Sequence, residues 1–222
     1  MLLAIDTSTK MVGVALYDGA QVFGETLSNS ADYHTAALAP AVGELFDRAR
    51  LGVKQLQAIA IALGPGSFTG LRVGLAFAKG IALAGHLPMI GIPTLDCLAA
   101  AQPLREYSLI AVLRAGRRRF AVGHYRAEKG VWLSLRPVEV LTFEALIEQL
   151  VPPVLLCGEL SGEERRALAH KGKNLFLASA ALSLRRPSFL AELAWQRWQA
   201  GQVDDPATLS PLYLHYAEAI PA

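Results

Sequence analysis

The chain has 222 residues, of which 53% are hydrophobic and 18% are charged, and its formal net charge is +2. This is the composition of a globular protein with ample apolar material for a core. The small net charge excludes a strong overall field that would draw nucleic acids. Residues 1–103 carry 6 Lys/Arg against 7 Asp/Glu, and residues 104–222 carry 15 against 12. No apolar run reaches the roughly 20 residues that span a bilayer. The two widely spaced cysteines predict neither a metal cluster nor a disulfide framework.

The first half of the chain predicts three strands followed by alternating helices and strands. The segments LLAID, VGVALYD and AQVFGETLS are strand-like, and Asp18-Gly19 after the second is typical of a hairpin turn. Apolar residues recur at helical spacing in the segment 34–50, so a helix begins near Pro40 or kinks there. The apolar run LQAIAIAL predicts a strand buried on both faces. A helix at about Ser67–Ala84 follows, and MIGIP and TLDCLAAA add a strand and a helix.

The second half repeats this order less regularly. After the polar break LREYS come three strand-like runs, LIAVLR, RFAVGHYRA and GVWLSLRPVEV. They are followed by the helix FEALIEQL, the strand PVLLCG, and the helices GEERRALAHKG and FLAELAWQRWQA. The sequence therefore predicts an α/β protein with two related lobes, each with a βββαβα core, of which the second is shorter. We place the first lobe at residues 1–103 and the second at 104–206. A C-terminal tail, about 207–222, is expected to pack back on the first lobe.

The loop GPGSFTGLR, which begins at Gly64, joins an apolar strand to an apolar helix, a place where proteins often bind phosphate. Its glycines permit positive φ, and Ser67 is a good N-cap. The loop lacks the Lys-Ser/Thr pair of a Walker loop and does not fit the dinucleotide-binding pattern. At the end of the first strand, Asp6 is followed by Thr7-Ser8-Thr9. This carboxylate could hold a magnesium-bound water, or it could cap a hairpin by binding the backbone.

The helix after the loop is apolar nearly all round. Gly70, Gly74 and Ala78 form a stripe of small residues that lets another backbone approach closely. One side of the helix must cover the sheet of its own lobe. The other side is covered either within the chain or by a partner, and the excess of apolar residues in the composition is compatible with both.

Two further features have a plain and a functional interpretation. Leu38 lies four residues after His34, so the pair of histidines that binds a metal from one helix face is absent. His34 is therefore expected at the surface or as a capping residue. The basic run RAGRRRF, Arg114 to Phe120, is either a solvated hairpin turn or a contact for nucleic-acid phosphates.

Several segments carry a resemblance to a known family. LLAIDTSTKMVGVAL, LGPGSFTGLRVGLAFAKGIA and GIPTLDCLA resemble the bacterial TsaB (YeaZ) family, and the tail SPLYLHYAEA is similar to that family's P-x-Y-L ending. The resemblance implies an actin/sugar-kinase/Hsp70-like (ASKHA) fold. It also implies a non-catalytic dimerisation subunit in the synthesis of threonylcarbamoyladenosine (t6A) in tRNA.

The resemblance further implies a set of partners. A TsaD-type catalytic paralogue transfers the threonylcarbamoyl group to tRNA adenosine 37, a TsaE-type ATPase joins the complex, and a separate TsaC-type enzyme makes the threonylcarbamoyl-adenylate. The chain would meet tRNA indirectly through this complex and would form a homodimer when alone. The expected location is the cytoplasm, with no membrane contact.

Departures from the catalytic relatives argue against chemistry in this chain. His34 and Leu38 stand in place of the paralogue's His-x-x-x-His metal pair, and Asp6-Thr7-Ser8 stands in place of an Asp-x-Gly phosphate turn. Arg114 ends the second lobe's first strand, where nucleotide-binding relatives have an aspartate. We therefore expect no catalytic residue, metal or cofactor, with residual nucleotide binding left open. The alternatives are a stand-alone enzyme of the same superfamily, either ATP-dependent or metallo-glycoprotease-like, and a nucleic-acid-binding module.

The expected interface is a face formed by the helices at His34–Arg50 and Ser67–Ala84. It would pair with the same helices of the TsaD-type subunit, or with a second copy when that subunit is missing. The candidate interface residues are His34, Leu38, Val42, Leu45, Phe46, Phe68, Leu71, Leu75 and Phe77. The residues assigned to a vestigial phosphate loop are Asp6, Thr7, Ser8, Thr9, Gly64, Gly66 and Ser67.

Overall fold

The computed structural model describes residues 1–29, 34–116 and 118–214, and these divide into two compact units. The first unit comprises Met1–Cys97 and Arg185–Leu212, and the second comprises Leu98–Leu184 with Tyr213 and Leu214. The first unit gives way to the second between Cys97 and Leu98, six residues before the predicted end of the first lobe at residue 103. Residues 185–206 differ from the prediction, because they belong to the first unit and not to the second. Within the predicted tail, residues 215–222 lie outside the described part of the chain.

The first unit is built on a five-stranded sheet. Its elements are β1 (Leu2–Asp6), β2 (Met11–Tyr17), β3 (Val22–Asn29), α1 (His34–Ala49), β4 (Ala58–Gly64), α2 (Phe68–Gly85), β5 (Met89–Pro93), the start of α3 (Thr94–Ala100), and α6 (Pro187–Gln199). The strand order is β3-β2-β1-β4-β5, with β1, β2 and β3 antiparallel and β1, β4 and β5 parallel. The predicted order βββαβαβα is confirmed for this part of the chain. α1 runs through Pro40 without ending there.

The two faces of this sheet bury side chains of different size. Large residues such as Leu3, Ile5 and Val14 meet the apolar stripes of α1 and α2. Alanines, among them Ala4 and Ala60, meet Leu190, Ala191 and Ala194 of α6 on the other face. Small side chains on that face let α6 approach the strands closely. By length and composition alone α2 would also qualify as a membrane span, but one side of it packs on the sheet of this unit.

The second unit contains a sheet of the same kind. Its elements are the end of α3, β6 (Ser108–Arg114), β7 (Arg119–Glu128), β8 (Val131–Ser134), β9 (Glu139–Thr142), α4 (Phe143–Glu148), β10 (Val154–Gly158), α5 (Gly162–Ala169) and β11 (Leu175–Leu177). The strand order is β11-β10-β6-β7-β8, and β9 also pairs with β7. Apolar residues of α4 and α5 pack on one face, around Ile110, Val112 and Leu156.

The two sheets have the same topology. In each, an antiparallel meander of three strands is extended by two strands parallel to its first strand. The third strand of the second meander, predicted as the single run GVWLSLRPVEV, is divided into β8 and β9. Pro137 lies between them, and a proline cannot donate a hydrogen bond to a neighbouring strand. The predicted architectural duplication is confirmed.

Candidate functional site

Asp6 ends β1, as predicted, and its carboxylate is fully engaged by the chain itself. Oδ1 accepts hydrogen bonds from the Ser8 backbone N–H at 2.8 Å and from the Ser8 hydroxyl at 2.5 Å. Oδ2 accepts one from Nε of Arg185 at 3.1 Å, and both charged side chains are buried. Arg185 also donates to the hydroxyl of Thr9. The charge that balances Asp6 is therefore an arginine of the same unit.

The turn that follows Asp6 lies directly on the start of α2. The Ser67 N–H donates to the Ser8 carbonyl oxygen at 2.6 Å, and the Thr7 hydroxyl donates to the Gly70 carbonyl oxygen at 2.7 Å. A Cβ on Gly66 would lie 2.0 Å from the Ser8 carbonyl oxygen, and a Cβ on Gly70 would lie 2.2 Å from that of Thr7. The glycines are needed because this turn occupies the space beside the helix.

This contact accounts for the stripe of small residues predicted on α2. The backbone that approaches it is the Thr7–Ser8 turn of the same unit, since a Cβ on Gly74 would also lie 2.1 Å from the Thr7 hydroxyl oxygen. Ser67 is the N-cap of α2, as predicted, because its hydroxyl accepts from the Gly70 N–H at 3.2 Å. We name these contacts between residues 6–9 and residues 64–74 the closed turn.

Two more predicted residues complete the closed turn. Gly64 has a φ of 112°, and its N–H donates to the Thr94 hydroxyl at 3.0 Å. His34, the first residue of α1, donates from Nε2 to the Thr9 carbonyl oxygen at 2.6 Å. The seven residues assigned to a vestigial phosphate loop are thus brought together, and His34 joins them as a residue that binds the turn.

Cys97 lies near the closed turn and is completely buried. Burial raises the pKa of the Cys97 thiol well above its usual value, and the carboxylates of Asp6 and Asp96 raise it further against the opposing effect of Arg185. The thiol is therefore protonated at neutral pH and is a poor nucleophile.

The end of β6 in the second unit corresponds to the end of β1 in the first, and it too is occupied by an ion pair. Arg114 ends β6, and its guanidinium binds the Glu164 carboxylate, while its backbone N–H donates to Glu159 Oε2 at 3.0 Å. Glu164 and Ser161 form the capping box of α5. Burial acts to raise the pKa of Glu164, but hydrogen bonds from Arg114 and Ser161 outweigh it, so that the pKa is lowered.

The predicted interface residues have to be corrected. Leu38, Val42, Leu45, Phe46, Leu71 and Leu75 are all buried in the unit. They form the core stripe of an amphipathic helix pair that covers the sheet, so an aspartate at Leu45 or Leu71 would test folding and not docking. Phe77 and His34 are half-buried, and only Phe68 is exposed, at 53%.

The opposite side of the helix pair carries an exposed surface of small and apolar residues. On α1 the exposed positions include Ala36, Ala39, Pro40 and Gly43, and on α2 they include Phe68, Arg72, Ala76, Gly80 and Leu83. Leu83 is 72% exposed, and a Cβ on Gly43 or Gly80 would meet no atom within 4 Å. The Arg72 guanidinium lies 3.7 Å from the centre of the Phe68 ring. We name these nine residues the docking face.

Two features considered from the sequence remain, namely a metal site and the basic run RAGRRRF. Among the described residues no group of three His, Cys, Asp or Glu could hold a metal ion. The basic run RAGRRRF forms the turn between β6 and β7, with Arg118 at a φ of 60°. Arg117 lies outside the described residues. A contact between this run and tRNA stays a prediction.

Sequence reasoning missed Arg185 and Arg186. Arg186 donates from Nε and an Nη atom to Glu25 Oε2 at 3.0 and 2.6 Å, and Ser188 donates to Oε1 of the same carboxylate. Burial acts to raise the pKa of Glu25, but these hydrogen bonds outweigh it and the pKa is lowered. Two arginines just before a helix are unfavourable beside its positive end unless carboxylates balance them. The two arginines before Pro187 therefore indicated in the sequence that carboxylates bind them.

Two sheets of equal topology, each an antiparallel meander extended by parallel strands and covered by helices, define an α/β protein of the actin/sugar-kinase/Hsp70 (ASKHA) class. The family model described as TsaD: tRNA N6-adenosine threonylcarbamoyltransferase matches residues 23–184. The chain is 30% identical to the tRNA threonylcarbamoyladenosine biosynthesis protein TsaB of Bacillus subtilis (strain 168), over 98% of this chain and 95% of that protein. It therefore belongs to the bacterial TsaB (YeaZ) family.

Solved structures agree with this assignment. YeaZ from Pseudomonas aeruginosa has a TM-score of 0.78 at 26% identity, with 96% of this chain and 99% of that chain covered. ROK hexokinase from Thermus thermophilus has a TM-score of 0.51 at 12% identity, with 90% and 99% covered, and it supports the fold alone.

Proposed function

We propose that this chain is a non-catalytic subunit of t6A biosynthesis that binds and supports a TsaD-type transferase. Membership of the TsaB family supports a role in this pathway, because a relative aligned over nearly the whole chain carries that function in its name. The chain would act in the cytoplasm, meet tRNA through the complex, and work beside a TsaE-type ATPase.

The observation that carries the non-catalytic role is the closed turn. A phosphate bound between the β1 turn and the start of α2 would need free N–H groups and space. The Ser67 N–H is bound by the Ser8 carbonyl oxygen, the Gly70 N–H is bound by the Ser67 hydroxyl, and Thr7 and Ser8 fill the space beside the glycines. A magnesium ion at Asp6 would have to displace the buried guanidinium of Arg185. In the second unit Arg114 stands at the corresponding strand end, where its positive charge repels a cation.

The docking face supports the binding role. Surface helices usually place charged residues opposite their core stripe, whereas the middle of this surface is made of alanine, glycine and proline. Small side chains let the backbones of two helices come close. We propose that α1 and α2 pair here with the corresponding helices of the TsaD-type subunit. The same patch on a second copy would give a symmetric homodimer when that subunit is missing.

Co-purification with the TsaD-type subunit tests the proposal, followed by a threonylcarbamoyl transfer assay with and without this chain. Ala76→Arg places a long charged side chain in the docking face, so we expect the affinity for the subunit to fall at least tenfold, which is about 1.4 kcal/mol. Ala167→Arg makes the same change on exposed α5 and serves as the control. Equal binding by both variants would contradict the proposed face.

The stand-alone enzyme is the competing function, and calorimetry with Mg-ATP separates it from the scaffold. The occupied turns predict no heat of binding at ligand concentrations up to the millimolar range. Tight binding of Mg-ATP, or transfer activity by this chain in the absence of the TsaD-type subunit, would replace the proposed scaffold by an enzyme.

A further inference from the structure

Three parallel strands of the second unit begin at one end of the sheet. Ser108 of β6 and Leu175 of β11 are both in register with Val154 of β10, which lies between them. The residues just before these strands, 104–107, 150–153 and 171–174, therefore lie at the same end. Adjacent strands are about 4.8 Å apart, so the outer two are separated by roughly 10 Å.

An aromatic pair bridges the outer two strands at this end. The rings of Tyr107 and Phe176 are stacked, with centroids 5.0 Å apart and planes inclined by 21°. Phe176 lies on β11, the edge strand of the sheet, and is 42% exposed. A large ring held flat by a neighbour and left open to solvent is a ready surface for another planar group.

The segments that precede these strands carry three exposed cations. Arg105, Lys171 and Lys173 are exposed, and none of them forms an ion pair with a described residue. Glu106 is the one carboxylate in the three segments that precede the strands. Leu98–Leu184 as a whole contains 12 Lys/Arg against 8 Asp/Glu, a balance of +4 that exceeds the +2 of the complete chain.

We propose that this surface binds unpaired nucleotides of an RNA, with a base on the ring of Phe176 and backbone phosphates on the lysines. We name Arg105, Tyr107, Lys171, Lys173 and Phe176 the strand-end patch. Sites for single-stranded nucleic acid combine aromatic rings, on which bases stack, with cations that follow the backbone. The inference goes beyond the proposed function, in which the chain meets tRNA through its partner, and it uses a surface remote in sequence from the docking face.

The stacked rings favour RNA over an acidic protein segment as the partner. An acidic peptide would be bound by the cations alone, and it would leave the exposed aromatic ring unused. An RNA loop uses both features, because every base has a face that can stack. Affinity for an RNA should then depend on the ring as well as on salt concentration.

Fluorescence anisotropy with an unmodified tRNA transcript tests the strand-end patch, using the full chain alone at about 50 mM salt. We expect micromolar binding, and we expect Lys171→Glu with Lys173→Glu to weaken it at least tenfold. The slope of log affinity against log salt should fall by about 0.7–0.9 for each lysine lost. Phe176→Leu keeps apolar cover but removes the ring, and should weaken binding roughly 5- to 100-fold. Phe176→Tyr should bind like the original chain.

Arg118→Glu tests the competing RNA contact, the basic turn beyond the other end of β6. This strand has 7 residues, so the two surfaces are about 20 Å apart. Circular dichroism confirms that every variant is folded. The proposal is overturned if the original chain does not bind the transcript, if Arg118→Glu weakens binding more than the lysine pair does, or if Phe176→Leu binds unchanged. It is also overturned if poly-glutamate competes as well as RNA does. None of these outcomes bears on binding of the TsaD-type subunit to the docking face.

Discussion

Replacing Arg185 by methionine removes the positive charge of the closed turn while keeping an unbranched side chain of similar length. Asp6 would lose the Nε donor at 3.1 Å and would keep only its bonds from Ser8. Thr9 would lose the hydrogen bond that Arg185 donates to its hydroxyl. The result is a carboxylate that stays buried without a counter-charge.

The expected cost follows from the burial of this pair. The side chains of Arg185 and Asp6 are only 3% and 4% exposed, and removal of one partner from a buried ion pair costs about 3–5 kcal/mol. A loss of 1 kcal/mol lowers the melting temperature of a domain of 150–250 residues by roughly 2–4 °C. For the whole chain of 222 residues we therefore expect Arg185→Met to lower the melting temperature by about 6–20 °C.

Differential scanning calorimetry and urea unfolding measure this loss, and a double-mutant cycle with Asp6→Asn isolates the pair. The control is Arg48→Met, which breaks an ion pair with Glu44 whose side chains are 72% and 64% exposed. That variant should lose less than about 0.5 kcal/mol. If Arg185→Met is no more destabilised than Arg48→Met, Asp6 is accessible to water and the argument for a closed turn fails.

Three further predictions concern other parts of the molecule. Gly43→Ala and Gly80→Ala should each stabilise the isolated chain by up to about 1 kcal/mol in urea unfolding, because alanine favours helix and the added Cβ meets no atom within 4 Å. In pull-down titrations, however, each variant should bind the TsaD-type subunit more weakly. Burial and the nearby Arg136 lower the pKa of His124, whose Nε2 accepts from Arg136 at 2.6 Å. The free energy of unfolding, measured from pH 7.5 to 5, should therefore decrease as the pH falls below about 6.5, which is the pKa of a histidine in the unfolded chain. A His124→Gln variant should not show this decrease. Burial raises the pKa of Cys157 to about 12, so it should react with Ellman's reagent only after denaturation.

Periodicity predicted most of the elements and their order, but it missed the short strand β11 and the division between β8 and β9, and it did not predict which surface the helices expose. The strand order follows from the hairpin at Asp18 and from the buried run of β4, because short connections and right-handed crossovers leave few topologies. Six of the nine predicted interface residues are instead buried in the unit, for a physical reason. Leu45 and Leu71 repeat on an apolar stripe whether the stripe faces a sheet or a partner, and only burial distinguishes the two. The partner of Arg185 could not be identified from the sequence, because it lies 179 residues away.

The closed turn links the buried ion pair to the position of the docking face. Arg185 holds Asp6 and Thr9, the Thr9 carbonyl oxygen binds His34 at the start of α1, and Thr7 binds Gly70 near the start of α2. Both helices of the docking face therefore begin on a turn whose geometry depends on an arginine that is not on the face. Arg185→Met should consequently weaken binding of the TsaD-type subunit even at temperatures where the variant is fully folded. A folded variant that binds with unchanged affinity would show that α1 and α2 keep their positions through sheet packing alone.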